Sequence, residues 1–163
     1  MKNKINTNFR ETIYSSDINS VREIVSSTGF FSNEEVDIAA ELASERLNKG
    51  IDSGYHFIFA ESNDKVIGYS CFGPIPATKF SFDLYWIAVH NDYQNLGLGK
   101  LLIVKSEEAI KRLGGNRVYV ETSGREQYES TRKFYFACGY KEEAILNDFY
   151  APGDSKYLYL KIL

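Results

Sequence analysis

Cysteine and histidine are scarce. The 163 residues hold two of each, Cys71 and Cys138, His56 and His90. Two cysteines make no disulfide framework, so reduced, buried thiols and a cytoplasmic location are expected. With no clustered Cys and only two His, neither zinc nor haem has support, and no metal is expected. Charge of one sign is also lacking: 19 basic residues face 22 acidic ones, a net −3. Such a balance advertises no basic patch for nucleic acid. No run approaches ~20 uninterrupted apolar residues, so no membrane partner is expected. The start, Met1-Lys2-Asn3-Lys4-Ile5-Asn6, has no apolar leader core. Repeats, linkers and low-complexity stretches are missing too. What remains is an ordinary globular composition, 44% hydrophobic. A chain of this length can bury roughly 70% of its unfolded surface without staples. Residues 1–163 therefore read as a single domain.

In order, Phe9–Tyr14 alternates as a short strand. Asp17 is placed to cap a helix reaching about Thr28, with Ile18, Val21 and Val25 on one face and Gly29 at its stop. Ser32-Asn33-Glu34-Glu35 is a capping box. It opens a helix whose stripe is Val36, Ala39, Ala40, Ala43 and Leu47, ended by Gly50. Tyr55–Glu61 and Lys65–Phe72 form a hairpin about Ser62-Asn63-Asp64. Pro74–Lys79 is a loop. Ser81–Val89 is apolar enough to suggest a strand buried on both faces. Gly99–Leu113 is a helix with Leu98, Leu102, Ala109 and Leu113 near the helical period, stopped by Gly114-Gly115. Arg117–Glu121 follows as a strand, parallel to 81–89 by the right-handed crossover rule. Glu129–Cys138 is a helix ended by Gly139. Tyr140–Ile145 and Lys156–Ile162 are strands, and the loop between them, Asn147–Ser155, carries the turn signal Pro152-Gly153-Asp154.

The most informative stretch joins the strand at 81–89 to the helix after it. Glycines stand where first-turn N–H groups have no internal partner and the helix dipole adds positive charge, an arrangement suited to an anion. Three loop types compete. The dinucleotide fingerprint needs a third glycine where Leu102 stands. The P-loop needs Gly at 94 and Ser/Thr after Lys100; the chain has Gln94 and Leu101. Gln94-Asn95-Leu96-Gly97-Leu98-Gly99 fits the pattern Gln/Arg-x-x-Gly-x-Gly/Ala at each specified position. On that loop the stretch resembles the acetyl-CoA-binding core of the GNAT acetyltransferases.

Two further features extend the resemblance. The element order matches that fold from end to end, with motif-level similarity over about 55–163. Thr131-Arg132-Lys133-Phe134-Tyr135-Phe136-Ala137-Cys138-Gly139-Tyr140 is similar to the family's Ala-x-x-x-Tyr-x-x-x-Gly-Phe segment. It departs from the pattern at Thr131 and Tyr140, and Tyr128 stands where the family usually has Asn. The resemblance implies an α/β (α+β) GNAT acyltransferase fold. That fold has a mixed, mostly antiparallel sheet of about seven strands, splayed at strands 4 and 5 and flanked by about four helices.

The resemblance also implies acetyl-CoA as cosubstrate and an amine-bearing small molecule or peptide as acceptor. Amides of Asn95, Leu96, Gly97, Leu98, Gly99 and Lys100 would cradle the pyrophosphate, with Gln94 opening the loop. Main-chain groups of Ile87, Ala88 and Val89 would pair with the pantetheine arm, and Val89 would polarise the thioester carbonyl. Thr131 and Tyr135 would lie along the cofactor. Tyr135, protonated at neutral pH, would be the acid for the departing thiolate. The alternative for Tyr135 is plain packing on a helix face. Asp83 shares strand parity with Val89 and is a candidate base through a water; a strand-end carboxylate without that role is the alternative, and His90 is a weaker candidate. Phe30, Phe31, Asp148 and Tyr150, with Phe149 between the last two, would line the acceptor pocket. A monomer or homodimer is expected. A non-catalytic acyl-CoA sensor on the same fold stays open. A nucleotide-binding switch is opposed by the missing Ser/Thr after Lys100.

Overall fold

The computed structural model describes residues 6–163; Met1–Ile5, most of the segment read above for a leader, lies outside them. The strands are β1 (Asn8–Arg10), β2 (His56–Ser62), β3 (Lys65–Pro74), β4 (Ser81–Val89), β5 (Arg117–Ser123), β6 (Lys141–Ala151) and β7 (Asp154–Ile162). The helices are α1 (Asp17–Ser27), α2 (Asn33–Lys49), α3 (Leu98–Arg112) and α4 (Glu129–Ala137). The strands form one seven-stranded sheet in the order β1-β2-β3-β4-β5-β7-β6. Pairing is antiparallel at β1–β2, β2–β3, β5–β7 and β6–β7. It is parallel at β4–β5, as a crossover through α3 requires. That parallel ladder joins Ser81–Asp83 to Arg117–Tyr119. Among the described residues no helix is long and apolar enough to cross a membrane. The chain groups into two compact units: up to Gly73 with Trp86–Glu108, and Pro74–Tyr85 with Ala109–Leu163.

In the first unit, β1 is shorter than the expected Phe9–Tyr14. Arg10 reaches from its end to Asp17 (2.6 and 2.8 Å) and Glu61 (2.6 Å). Asp17 also accepts the Tyr14 N–H at 2.7 Å, which turns the chain out of the ladder. Asp17 is thus no helix cap: Ser16 is the N-cap residue, without a side-chain bond, and Asp17 is a buried ion-pair partner. Removing either partner of such a buried pair costs several kcal/mol, because the survivor is left unpaired. α2 begins with the expected capping box, Glu35 N–H to Ser32 Oγ and Ser32 N–H to Glu35, contributing about 1 kcal/mol. Val36, Ala39 and Ala43 are buried against Val21, Ile24 and Val25 of α1 and the β2–β3 face, and Ala40 is buried too, but Leu47 in the last turn is exposed. Asn63 and Asp64 both take positive φ in the β2–β3 turn, as a two-residue hairpin demands.

Burial on both faces, expected of β4, is found along β3 instead and over residues 57–60 of β2. Val66 to Gly73 is buried throughout, whereas β4 alternates, with only Phe82, Leu84 and Ala88 fully buried. Its odd positions, from Asp83 to Val89, keep partial exposure. At Gly68 a Cβ would lie 3.2 Å from the Ala88 carbonyl and 3.3–3.4 Å from Leu102 and Leu98. This glycine lets β3, β4 and the start of α3 approach closely. Beyond it, Ser70 and Ser106 share a buried 2.7 Å hydroxyl bond, and Ser106 also donates to the Leu102 carbonyl.

In the second unit, Gly114 turns the chain at φ 87°, and at Gly115 a Cβ would meet the Phe82 ring at 2.5 Å. Leu113, expected on the apolar stripe, is instead 50% exposed beyond the last helical turn. The segment 147–155 is mostly strand rather than loop. β6 runs to Ala151 and β7 starts at Asp154, with an irregular register between Leu146 and Ala151. Asp148 supplies the irregularity: its φ is positive, and its carboxylate accepts the Gly153 N–H at 2.7 Å. Of the two free cysteines, Cys71 is buried as expected and Cys138 only partly so.

Candidate active site

The elbow after β4 belongs to the first unit. Its conformation follows from local chemistry. His90 donates its N–H to the Ile67 carbonyl at 2.9 Å, the last tie to β3. Its Nδ1 accepts from Asp92 and caps the turn Asn91–Tyr93, while its ring meets Tyr93 edge-on. His90 is thereby occupied as a turn residue. Ser27 of α1 accepts the Asn91 N–H, and Gln94 donates its amide to the Val89 carbonyl. Asn95 at φ 62° and Gly97 at φ 82° then reverse the backbone. Leu98 is buried and anchors the start of α3, while Gln94, Asn95, Leu96, Gly97 and Lys100 face out.

The first intrahelical bond is donated by Leu101 to Gly97. The amides of Leu98, Gly99 and Lys100 therefore precede the helical ladder, as the opening donors of a helix do. A Cβ at Gly97 would meet nothing within 4 Å. The loop thus has open space beside its backbone and N–H groups at a helix start, which suits a phosphate. Along the end of β4 the main-chain groups alternate between its two edges. His90 pairs with β3, and the Ala88 carbonyl faces Gly68 of β3. The main-chain groups of Ile87 and Val89 accordingly point to the other edge. Also in this unit, Phe31 packs edge-on against Trp86 at 5.0 Å, while Phe30 is largely exposed.

Tyr135, Thr131, Asp83, Asp148 and Tyr150 belong to the second unit. There the register sorts side chains onto two faces. Phe82, Val118, Val120 and Tyr159 share one face. Tyr135 of α4 packs on it, 6.3 Å from the Tyr159 ring and 5.8 Å from Tyr140. Thr131 lies one helical turn before it, on the same side of α4. Burial raises the Tyr135 phenol well above the ordinary tyrosine value, so it keeps its proton and can donate it. Asp83 pairs in register with Tyr119, and Glu121 follows two residues on, so these three point to the opposite face. Burial and then the negative charge of Glu121 raise the Asp83 carboxyl, while Lys156 opposes that rise. Asp83 and Tyr135 therefore stand on opposite faces of one sheet.

Sequence reading missed Glu121 and Lys156. Lys156 forms a close ion pair with Glu121 and lies 4.4 Å over the Phe149 ring. Phe149 in turn packs edge-on against Tyr150. Burial, Glu121 and Asp154 push the Tyr150 phenol up to about 12. No sequence signal joins these residues, which come from three strands. Among the described residues, no group of three or more His, Cys, Asp or Glu is gathered as for a metal.

A family model described as an acetyltransferase (GNAT) domain matches residues 53–142. An N-alpha-acetyltransferase of Sulfurisphaera tokodaii is 30% identical over 112 residues, covering 63% of this chain and 66% of that relative, just under two thirds of its length. A solved protein from Desulfovibrio desulfuricans assigned to the GNAT family is 44% identical, with a TM-score of 0.95 over 96% of this chain and 98% of that one. PaiA N-acetyltransferase of Thermoplasma acidophilum, solved with coenzyme A, is similar in fold: TM-score 0.73 at 18% identity, over 98% of this chain and all of that one.

Proposed function

Because the chain belongs to the GNAT acetyltransferase family, we propose that residues 1–163 act as one catalytic domain transferring acetyl from acetyl-CoA to a primary amine. The observation that carries this reading is the elbow. Asn95 and Gly97 hold positive φ, and the amides up to Lys100 open α3 beside unfilled space. These amides grip the pyrophosphate, while Gln94 braces the elbow on Val89. Ile87 and Val89 direct main-chain groups along the pantetheine arm, and the Val89 amide polarises the thioester carbonyl. The coenzyme supplies the acetyl thioester.

Chemistry then needs one proton taken and one given. Asp83 takes the proton from the acceptor ammonium through a water. The amine nitrogen attacks the carbonyl carbon; the C–N bond forms and the C–S bond breaks. Tyr135 gives its proton to the departing thiolate and recovers one from the product side. Thr131 supports the cofactor one helical turn away. Phe30 and Phe31, and separately Asp148 and Tyr150, are the residues proposed to touch the acceptor, an amine-bearing small molecule or peptide. The chain is assigned to the cytoplasm.

A second reading, a non-catalytic coenzyme-binding domain, is favoured by one observation: Tyr135 is only 6% exposed, packed among aromatic rings. Free-thiol release from acetyl-CoA across an amine panel decides between the two. Amine-dependent release supports transfer. Coenzyme A binding by thermal shift with no release from any amine supports the second reading.

A further inference from the structure

In the second unit, α4 lies in step along β7. Arg132, Tyr135 and Cys138, three residues apart on one side of the helix, meet Tyr157, Tyr159 and Lys161, alternate residues on one face of the strand. At the first step the Arg132 guanidinium sits 5.1 Å from the centre of the Tyr157 ring. It also donates to the carbonyls of Ser123 at 2.8 Å and Arg125 at 3.0 Å, where the chain leaves β5. At the middle step Tyr135 packs 6.3 Å from the Tyr159 ring. At the last step Lys161 donates from Nζ to the Cys138 carbonyl at 2.9 Å. Its stem passes 3.5 Å from where a Cβ on Gly139 would lie.

The helix itself supplies little to fix its place. α4 has nine residues and opens on Tyr128 without a side-chain cap. Ring packing on Tyr140 and Tyr159 buries Tyr135, but apolar packing is non-directional. Hydrogen bonds to carbonyls are directional, and here they stand at both ends of the helix. At the rear end a cation also meets the orphan carbonyls and the negative pole of the helix dipole. We propose that Arg132 and Lys161 are positioning residues: they pin the two ends of α4, so that Tyr135, midway between the pins, presents its hydroxyl to the departing thiolate. This inference rests on Tyr135 being the acid.

The test is a pair of double-mutant cycles on the full chain, read as kcat and KM for amine-dependent thiol release from acetyl-CoA. Arg132→Met should lower kcat about tenfold and Lys161→Met about threefold, with KM for acetyl-CoA within about twofold of the parent. In a Tyr135→Phe background the same substitutions should lower kcat no further, because the group they aim is gone. Arg132→Lys, which keeps a donor, should recover part of the loss. Arg132→Gln replaces the methionine variant if that one does not fold. Unchanged kcat in the single variants, a loss confined to KM, or equal losses in both backgrounds overturn the positioning role. Failure of the premise reads differently: kcat of Tyr135→Phe alone equal to the parent removes Tyr135 from the chemistry, and the inference falls with it.

Discussion

The elbow after β4 and the polar face of the second unit are built by opposite means. At the elbow the groups proposed to bind are main-chain amides, and the side chains named hold the backbone. Leu98 is buried beneath it, Gln94 ties it to Val89, and Gly97 supplies a positive φ. On the polar face the backbone is plain ladder, and charged side chains from three strands stand on it: Asp83, the proposed base, with Glu121 and Lys156. A site made of amides tolerates many side chains but few conformations. A site made of charges tolerates conformational detail but not the loss of one group.

The largest effect is expected from a side chain on the opposite face of the second unit. Tyr135→Phe should lower the rate of thiol release about a hundredfold, with little change in acetyl-CoA affinity. Equal rates would leave Tyr135 as packing. Next comes the scaffold of the elbow. Gly68→Val should destabilise the fold by about 2 kcal/mol in a denaturant titration, because Ala88, Leu98 and Leu102 leave no room for the added atoms. Coenzyme affinity should weaken with it, since Leu98 opens α3. A third variant separates backbone from side chain. Gly97→Val strains a backbone at φ 82° where a Cβ would meet nothing. It should weaken coenzyme A binding about tenfold by calorimetry, through conformation alone. Wild-type binding by this variant would break the contrast drawn above.

The smallest effect concerns the other end of the first unit. His56 is held below the ordinary histidine value of 6.5, chiefly by burial and then by the Arg46 charge. The folded state therefore binds that proton less readily than the unfolded chain. The penalty is absent above the ordinary histidine range and sets in as pH falls through 6.5, complete below the folded value. Melting temperatures should drop over that interval, and His56→Gln should flatten the drop.

Much of the fold was legible because helix and strand boundaries are written locally. The Ser32–Glu35 capping box, the Asn63-Asp64 turn and the glycines after each helix fell where their chemistry puts them. The elbow was legible for the same reason: the positive φ at Gly97 favours glycine there. Long-range matters were not. Asp17 looks like a helix cap in a linear reading, but Arg10 claims it, and that pairing shortened β1. The apolar run at 81–89 suggested burial on both faces, yet burial depends on what packs above each face, and β4 alternates where β3 is covered on both sides. Asp148 showed that a turn signal marks a reversal without fixing its length, because one carboxylate bond to Gly153 let strand continue almost to the tip.

By itself, the chain's sequence determined the order of elements, the glycine-bearing elbow and the place of Tyr135 ahead of Gly139, since each rests on dihedral preference and spacing along one stretch. Only the tertiary structure decided which side chains meet. Asp83, Glu121 and Lys156 lie far apart in sequence, and the register of three strands sets them on one face. Charges interact through space and not along the chain, so the environment of the proposed base exists only once the sheet has formed.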